Sequence, residues 1–381
     1  MNRSSRGSNQ YQHKPSSVPV LADLVAQLTR QRTELETARH TVETARAAFV
    51  VARAAAEQLS KNVSGGYAQI VQITSSSKCP TEILSWLATQ PDPVVRSQAA
   101  SSPACPLPLL LQLAQDPAEQ VQLAAMRNPV YPPDQLSQFA GQSHTSRLQL
   151  ASRRGCPPDT LRQLAQDPGS QVRRAAASNP GCPPDLLEQF VRGPDYLMHE
   201  AVASNPGCPP HLLTQLAGYN NLGIRRRTAS NRNCPPDVLA QLAQHSSWEI
   251  RKAAASNPSS TPQTLTKLTR DSNPKIRVAV IKNRSCPLEL LTTAIQDTSP
   301  TVRSAAVRHP NYPAAQLPQL AQHPDYIIRE AVAGNRKCPT DTLVELLADQ
   351  NRNVATAALN NPSLPRHILA MWQLTHSGPG R

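Results

Sequence analysis

The chain has 381 residues, with 39 Lys and Arg against 26 Asp and Glu and a formal net charge of +13. Aromatics make up only 3% of it, too few to stack single-stranded bases along its length. No apolar run approaches the ~18 residues of a membrane span, and the first 20 residues lack the apolar core of a secretory signal. A cytoplasmic protein with no membrane attachment is expected.

Residues 1–20 are polar and aperiodic and read as a disordered tail. From 21 to 63 a heptad runs without Pro or Gly. Its a positions are Leu21, Leu28, Leu35, Val42, Phe49, Ala56 and Val63, and its d positions Leu24, Gln31, Ala38, Ala45, Ala52 and Leu59. Such a pattern predicts a coiled-coil helix roughly 60 Å long. Two roles stay open for it: a seam between two copies in a homodimer, or a cap on the array that follows. Gly65 and Gly66 mark a break, and 64–78 reads as a linker with a half repeat.

From 79 to 375 one unit recurs. Leu84, Leu110, Leu136, Leu161, Leu187, Leu213, Leu239, Leu265, Leu291, Leu317, Leu343 and Leu369 are spaced by 26 residues, with one step of 25. A period of this size marks a stacked array in which each unit touches only its neighbours. Apolar residues three and four positions after each leucine, as in Leu164/Ala165 and Leu242/Ala243, form one face of a short helix. Prolines such as Pro157, Pro183 and Pro209 stand at its start, where a missing N–H costs nothing. A second helix carries a Val/Ile/Met column, then an arginine, then small residues, as in 171–178. An asparagine column ends it, suited to a left-handed helix stop. Neither helix is stable alone, so stacking must hold them. The reading is an all-α superhelical solenoid of about twelve two-helix repeats, with 376–381 as a tail.

The pattern Asn-Pro-x-Cys-Pro-Pro-x-x-Leu, followed by Leu-Ala-x-Asp-Pro-x-x-x-Val-Arg-x-Ala, resembles the leucine-rich repeat variant family. The unit from Asn179 onward and the run Leu164, Ala165, Asp167, Pro168, Val172, Arg173, Ala175 carry it best. The resemblance implies alternating α- and 3-10 helices in a right-handed superhelix without sheets, and implies little about biochemistry. An iron–sulfur domain precedes the repeats in one architecture of that family, and no cysteine precedes Cys79 here.

Nothing in the chain spells a catalytic motif, and no cofactor or metal is expected. Cys79, Cys105, Cys156, Cys182, Cys208, Cys234, Cys286 and Cys338 share one column with Tyr131, Ser260, Tyr312 and Leu364, which no ligand set would accept. The arginine column is Arg96, Arg147, Arg173, Arg225, Arg251, Arg277, Arg303 and Arg329. Asp167, Asp271 and Asp297 stand six residues before their arginines, as in a HEAT-type Asp–Arg ladder. Arg225, Arg251 and Arg329 have Tyr219, His245 and His323 at that offset, which leaves them open to a partner. Between Leu222 and Arg284 there are twelve basic and three acidic residues. Arg226, Arg227 and Lys252 belong to that zone, beside an irregular loop at 218–223. Arg154, Arg232, Arg284 and Arg336 replace the proline after the asparagine column and share one rim. The candidate partner-binding set is therefore Arg225, Arg226, Arg227, Arg232, Arg251, Lys252, Arg284 and Arg336. The expected function is a non-enzymatic scaffold for an unidentified protein partner, oligomerising through 21–63. The alternative is a nucleic-acid-binding solenoid using 222–284. A HEAT-like DNA glycosylase is a remote third reading, by fold analogy alone.

Overall fold

A computed structural model describes residues 18–60 and 65–376. Every regular element among the described residues is helical, and no helix is long and apolar enough to cross a membrane. The fold is that of a helical repeat array. The chain divides into two compact units, 1–135 and 136–381.

In the first unit a 43-residue helix, Val18–Ser60, is followed by a helix at Gly65–Thr74. Gly65 and Gly66 are the first two residues of that second helix. The long helix is used unevenly. Near its end Ala52 is fully buried, and the Phe49 ring meets Trp86 edge to face at 5.4 Å. Higher up, Leu35 and Val42 of the same heptad seam are 73% and 66% exposed. Leu21, Leu24, Leu28, Ala56 and Leu59 have no described side chains; of the tails read at 1–20 and 376–381, residues 18–20 open the long helix and His376 ends the helix Arg366–His376, while 1–17, Val63 and 377–381 lie outside the described residues.

In the second unit each repeat holds two short helices. The unit around Cys182 has Pro184–Arg192, then Tyr196–Ser204. Pro183 is extended (φ −59°, ψ 142°) and Pro184 supplies the first helical residue. The residue before a proline disfavours the helical region, and proline is pre-set for the first turn, so Pro-Pro places the helix start to the residue. Leu186, Leu187 and Val191 are buried on one face. Asp195 caps the second helix by accepting from the Leu197 N–H at 2.9 Å. Most first helices are α; among the described residues 3-10 helices stand at Pro133–Phe139, Ala294–Gln296 and Ala314–Gln316.

The asparagine column does more than stop a helix, and it is not left-handed. Asn205 is extended (φ −69°, ψ 122°). Its Nδ2 donates to the Ala177 and Asn179 carbonyls of the preceding repeat at 2.7 Å each, and its Oδ1 accepts from the Gly207 N–H at 2.7 Å. Asn179, Asn231, Asn257, Asn283 and Asn361 repeat the arrangement. A helix leaves its last carbonyls without intrahelical donors. Here the asparagine of the next repeat supplies the donor, so these second-helix ends are completed by their neighbours. His309 occupies the column once; it accepts from the Asn311 N–H at 3.1 Å, and burial holds its pKa below the ordinary histidine value.

Candidate partner-binding surface

The arginine column is a second ladder between repeats. Arg251 donates through Nε and Nη2 to the Asp271 carboxylate at 2.7 and 3.2 Å. Its Nη1 donates to the carbonyls of His245 and Ser246 at 2.9 and 2.8 Å. One guanidinium therefore ties the loop before its own helix to the loop of the next repeat. Arg96–Asp116 in the first unit, and Arg147–Asp167, Arg277–Asp297, Arg303–Asp325 and Arg329–Asp349 in the second, follow the same plan. Arg96 and Arg329 hold the carboxyls of Asp116 and Asp349 below the ordinary aspartate value. At Asp271 and Asp297 burial pushes the pKa up, and the arginine and a backbone N–H more than offset it.

This geometry corrects the sequence reading of Arg251 and Arg329. Both are held in ion pairs with Asp271 and Asp349 and are not open to a partner. The residue six positions before each arginine contributes its backbone carbonyl, which any residue has. The carboxylate comes from twenty residues ahead, as in Asp271 for Arg251. Arg225 is also engaged: it donates to the Ala217 carbonyl at 3.2 Å, and its Nη1 lies 3.0 Å from His245 Nε2. His199 holds an arginine position with its ring nitrogen 2.8 Å from the Gly193 carbonyl, and it packs edge to face on Tyr219 at 4.6 Å.

The loop at 218–223 is built for packing. Tyr219 donates to the Val191 carbonyl at 3.1 Å, and Asn221 caps the helix Leu222–Ser230. A Cβ on Gly223 would stand 2.2 Å from Glu200 Oε1, so a side chain there would displace that carboxylate.

Of the sequence candidates, six are exposed. Arg226, Arg227 and Lys252 lie on the open side of the second helices, and Arg232, Arg284 and Arg336 on the turns after the asparagine ladder. Ser259 and Ser363 hydroxyls donate to the Arg232 and Arg336 carbonyls, which fixes those turns while the side chains stay in solvent. Arg227 lines a groove with Arg174, Glu200 and Ser204. Arg284 lines another with Lys282, Arg308 and Glu330, where Arg308 donates to Glu330 at 3.0 Å. The first four exposed cations fall within 222–252 on adjacent repeats, whereas Arg336 stands two repeats beyond Arg284.

Sequence reasoning missed a row of exposed apolar residues at the first position of the second helices. Tyr196, Leu222, Trp248 and Tyr326 are 57%, 59%, 36% and 42% exposed. The same 26-residue register carries the signal, two residues before the valine column, where a core reading of apolar residues hides it. Lys275 Nζ lies 5.3 Å from the Trp248 ring centre, a cation–π distance.

Among the described residues no group of three or more His, Cys, Asp or Glu is placed to hold a metal ion. The eight cysteines are free and buried. Burial pushes the thiols of Cys156, Cys182, Cys208, Cys234 and Cys338 up to about 12.

No curated protein matches this sequence. Among solved structures the chain is similar to a leucine-rich repeat variant with a repetitive structural motif, at 23% identity over 61% of this chain and 87% of that one, with a TM-score of 0.39. It is also similar to a designed armadillo repeat protein, at 16% identity over 66% of this chain and 97% of that one, with a TM-score of 0.16. Residues 144–169 match the leucine-rich repeat variant family. That segment is one register of the pattern that recurs along the chain.

Proposed function

We propose that this protein is a non-enzymatic scaffold that binds protein partners along the open side of its second helices. One observation carries the reading. The ladders consume the asparagines and most column arginines in joining repeats, whereas Arg226, Arg227 and Lys252 remain exposed one repeat apart. Stacked repeats present such rows as extended surfaces rather than pockets. The partner is cytoplasmic and acidic where it meets this zone. The long N-terminal helix pairs two copies through the exposed Leu35 and Val42 seam, while its end stays docked around Ala52.

Immobilised full-length protein and an Arg226→Glu, Arg227→Glu, Lys252→Glu variant test the first part. Proteins retained by the first and released by the second support it; equal retention on both removes the site. Light scattering of Leu35→Glu, Val42→Glu tests the second part. A drop from dimer to monomer mass supports it, and an unchanged mass refutes it.

The zone 222–284 also favours a nucleic-acid reading through its charge. Anisotropy of labelled duplex and single-stranded oligonucleotides across salt decides between them. Tight binding that weakens steeply with salt would establish that reading over the scaffold.

A further inference from the structure

The exposed row at the first position of the second helices runs Tyr196, Leu222, Trp248, Pro274, Pro300, Tyr326 without interruption. All six are exposed in the second unit. Scattered exposed apolar residues are ordinary, but a contiguous stripe on one register marks an interaction surface. The stripe is flanked by charge of one sign in its middle. Arg226 and Lys252 lie one helical turn beyond Leu222 and Trp248, where residues four apart share a face, and Lys275 leans over Trp248. Glu249 is the exception, with Ser247 donating to it and Arg226 near it.

We infer that this stripe binds an acidic segment in polyproline II conformation, with an apolar residue at every third position. The inference rests on the scaffold reading and narrows it to one partner chemistry. Packed helices lie about 8–10 Å apart, so the stripe presents one apolar side chain about every 9 Å. A polyproline II chain rises ~3.1 Å per residue with three residues per turn. It therefore returns one side chain to the same face about every 9 Å, in register with the repeats. A β-strand would turn every third residue to the opposite face. Aromatic side chains, here Tyr196, Trp248 and Tyr326, make the walls on which such chains dock, and acidic residues at the intervening positions meet Arg226, Lys252 and Lys275.

Charge excludes the chain's own two ends, and the lack of aromatic rings at half of the row argues against single-stranded nucleic acid. Residues 1–17 contain Arg3, Arg6 and Lys14 and no Asp or Glu, and 377–381 contain one Arg and no acid. Single-stranded nucleic acid stacks on aromatic rings, and Leu222, Pro274 and Pro300 offer none.

The test uses the full-length protein and a fluorescein-labelled peptide of six Leu-Glu-Pro triplets. A peptide of the same composition with contiguous leucines and an oligothymidylate serve as comparisons. The triplet peptide is expected to bind about tenfold or more tighter than the permuted one. Leu222→Asp is expected to weaken it by about tenfold or more. That carboxylate sits in a first helical turn, where it favours the helix, so the variant keeps its circular dichroism. Lys252→Glu, which removes a flanking charge and leaves the apolar row intact, is expected to weaken binding with a reduced salt dependence. Equal binding of the two peptides, no binding of either, or an oligothymidylate that binds more tightly than the triplets overturns the inference. So does unchanged affinity in Leu222→Asp. If protein partners retained by the parent are still retained by Leu222→Asp, the scaffold stands and the stripe inference falls. If neither retains any protein, the scaffold reading itself falls.

Discussion

Replacing Asn205 by aspartate isolates what the asparagine ladder contributes. The two side chains have the same shape, so packing is unchanged and only the donor is lost. Asn205 is fully buried and donates to the Ala177 and Asn179 carbonyls. The Asn179 carbonyl also accepts from the Cys182 N–H at 2.9 Å, so it keeps a partner. The Ala177 carbonyl, in the last turn of its helix, depends on the ladder. An orphaned buried acceptor costs about 1–3 kcal/mol. An ionised carboxylate facing two carbonyl oxygens adds a further penalty, which the side chain escapes by taking a proton. The expected loss is about 3 kcal/mol or more at pH 7, read by urea unfolding followed by far-ultraviolet circular dichroism. Its pH dependence carries the diagnosis. Once protonated, the new carboxyl donates one hydrogen bond again, so the folded state raises its pKa above the unfolded value. Protons then bind the folded state more than the unfolded one, and the deficit shrinks as pH falls toward about 5. A loss below about 1 kcal/mol, or a deficit independent of pH, would refute the claim that donation across repeats holds the array together.

The buried ladder and the surface differ in a measurable way. Arg251→Ala strands the nearly buried Asp271 carboxylate and is expected to cost about 2–4 kcal/mol; Arg162→Ala breaks the exposed pair with Asp185 and is expected to leave the melting temperature unchanged. Equal effects in thermal melts would contradict the ladder. Several ladder aspartates, among them Asp116, Asp271 and Asp349, have folded pKa values below the unfolded one. Their stabilisation is full above about pH 4 and is lost as pH falls through the folded values, so the melting temperature is expected to drop sharply below about pH 4 and to hold level above it. The buried thiols, with Cys105 and Cys286 pushed up to about 11 and others to about 12, are expected to stay unreactive toward a disulfide reagent in the native protein and to react in urea. Rapid native labelling would show that the column is accessible.

Much of the fold is written at single positions. The leucine register, the Pro-Pro starts and the small residues of the second helices each act within one repeat, through local sterics and periodic burial. Their consequence, a helical repeat, follows from the 26-residue spacing alone. The roles of Asn205 and Arg251 were legible only as columns. A column shows that a residue type recurs, and it does not show whether its partner lies six residues back or twenty ahead. Arg251 illustrates the ambiguity: its carbonyl partner sits at His245 and its carboxylate partner at Asp271. The apolar stripe was hidden for a related reason. Trp248 and Ile250 are two residues apart and both apolar, yet one is exposed and the other fully buried.

The sequence by itself therefore determined the repeat, its helix boundaries and its buried leucine and cysteine columns, because helix geometry and proline sterics act over a few residues. Tertiary structure alone decided which arginines join repeats and which face solvent, how far the N-terminal helix docks, and that an apolar stripe remains open. Those outcomes depend on the neighbouring repeat, whose loops bring donors and acceptors together from positions that a linear pattern does not pair.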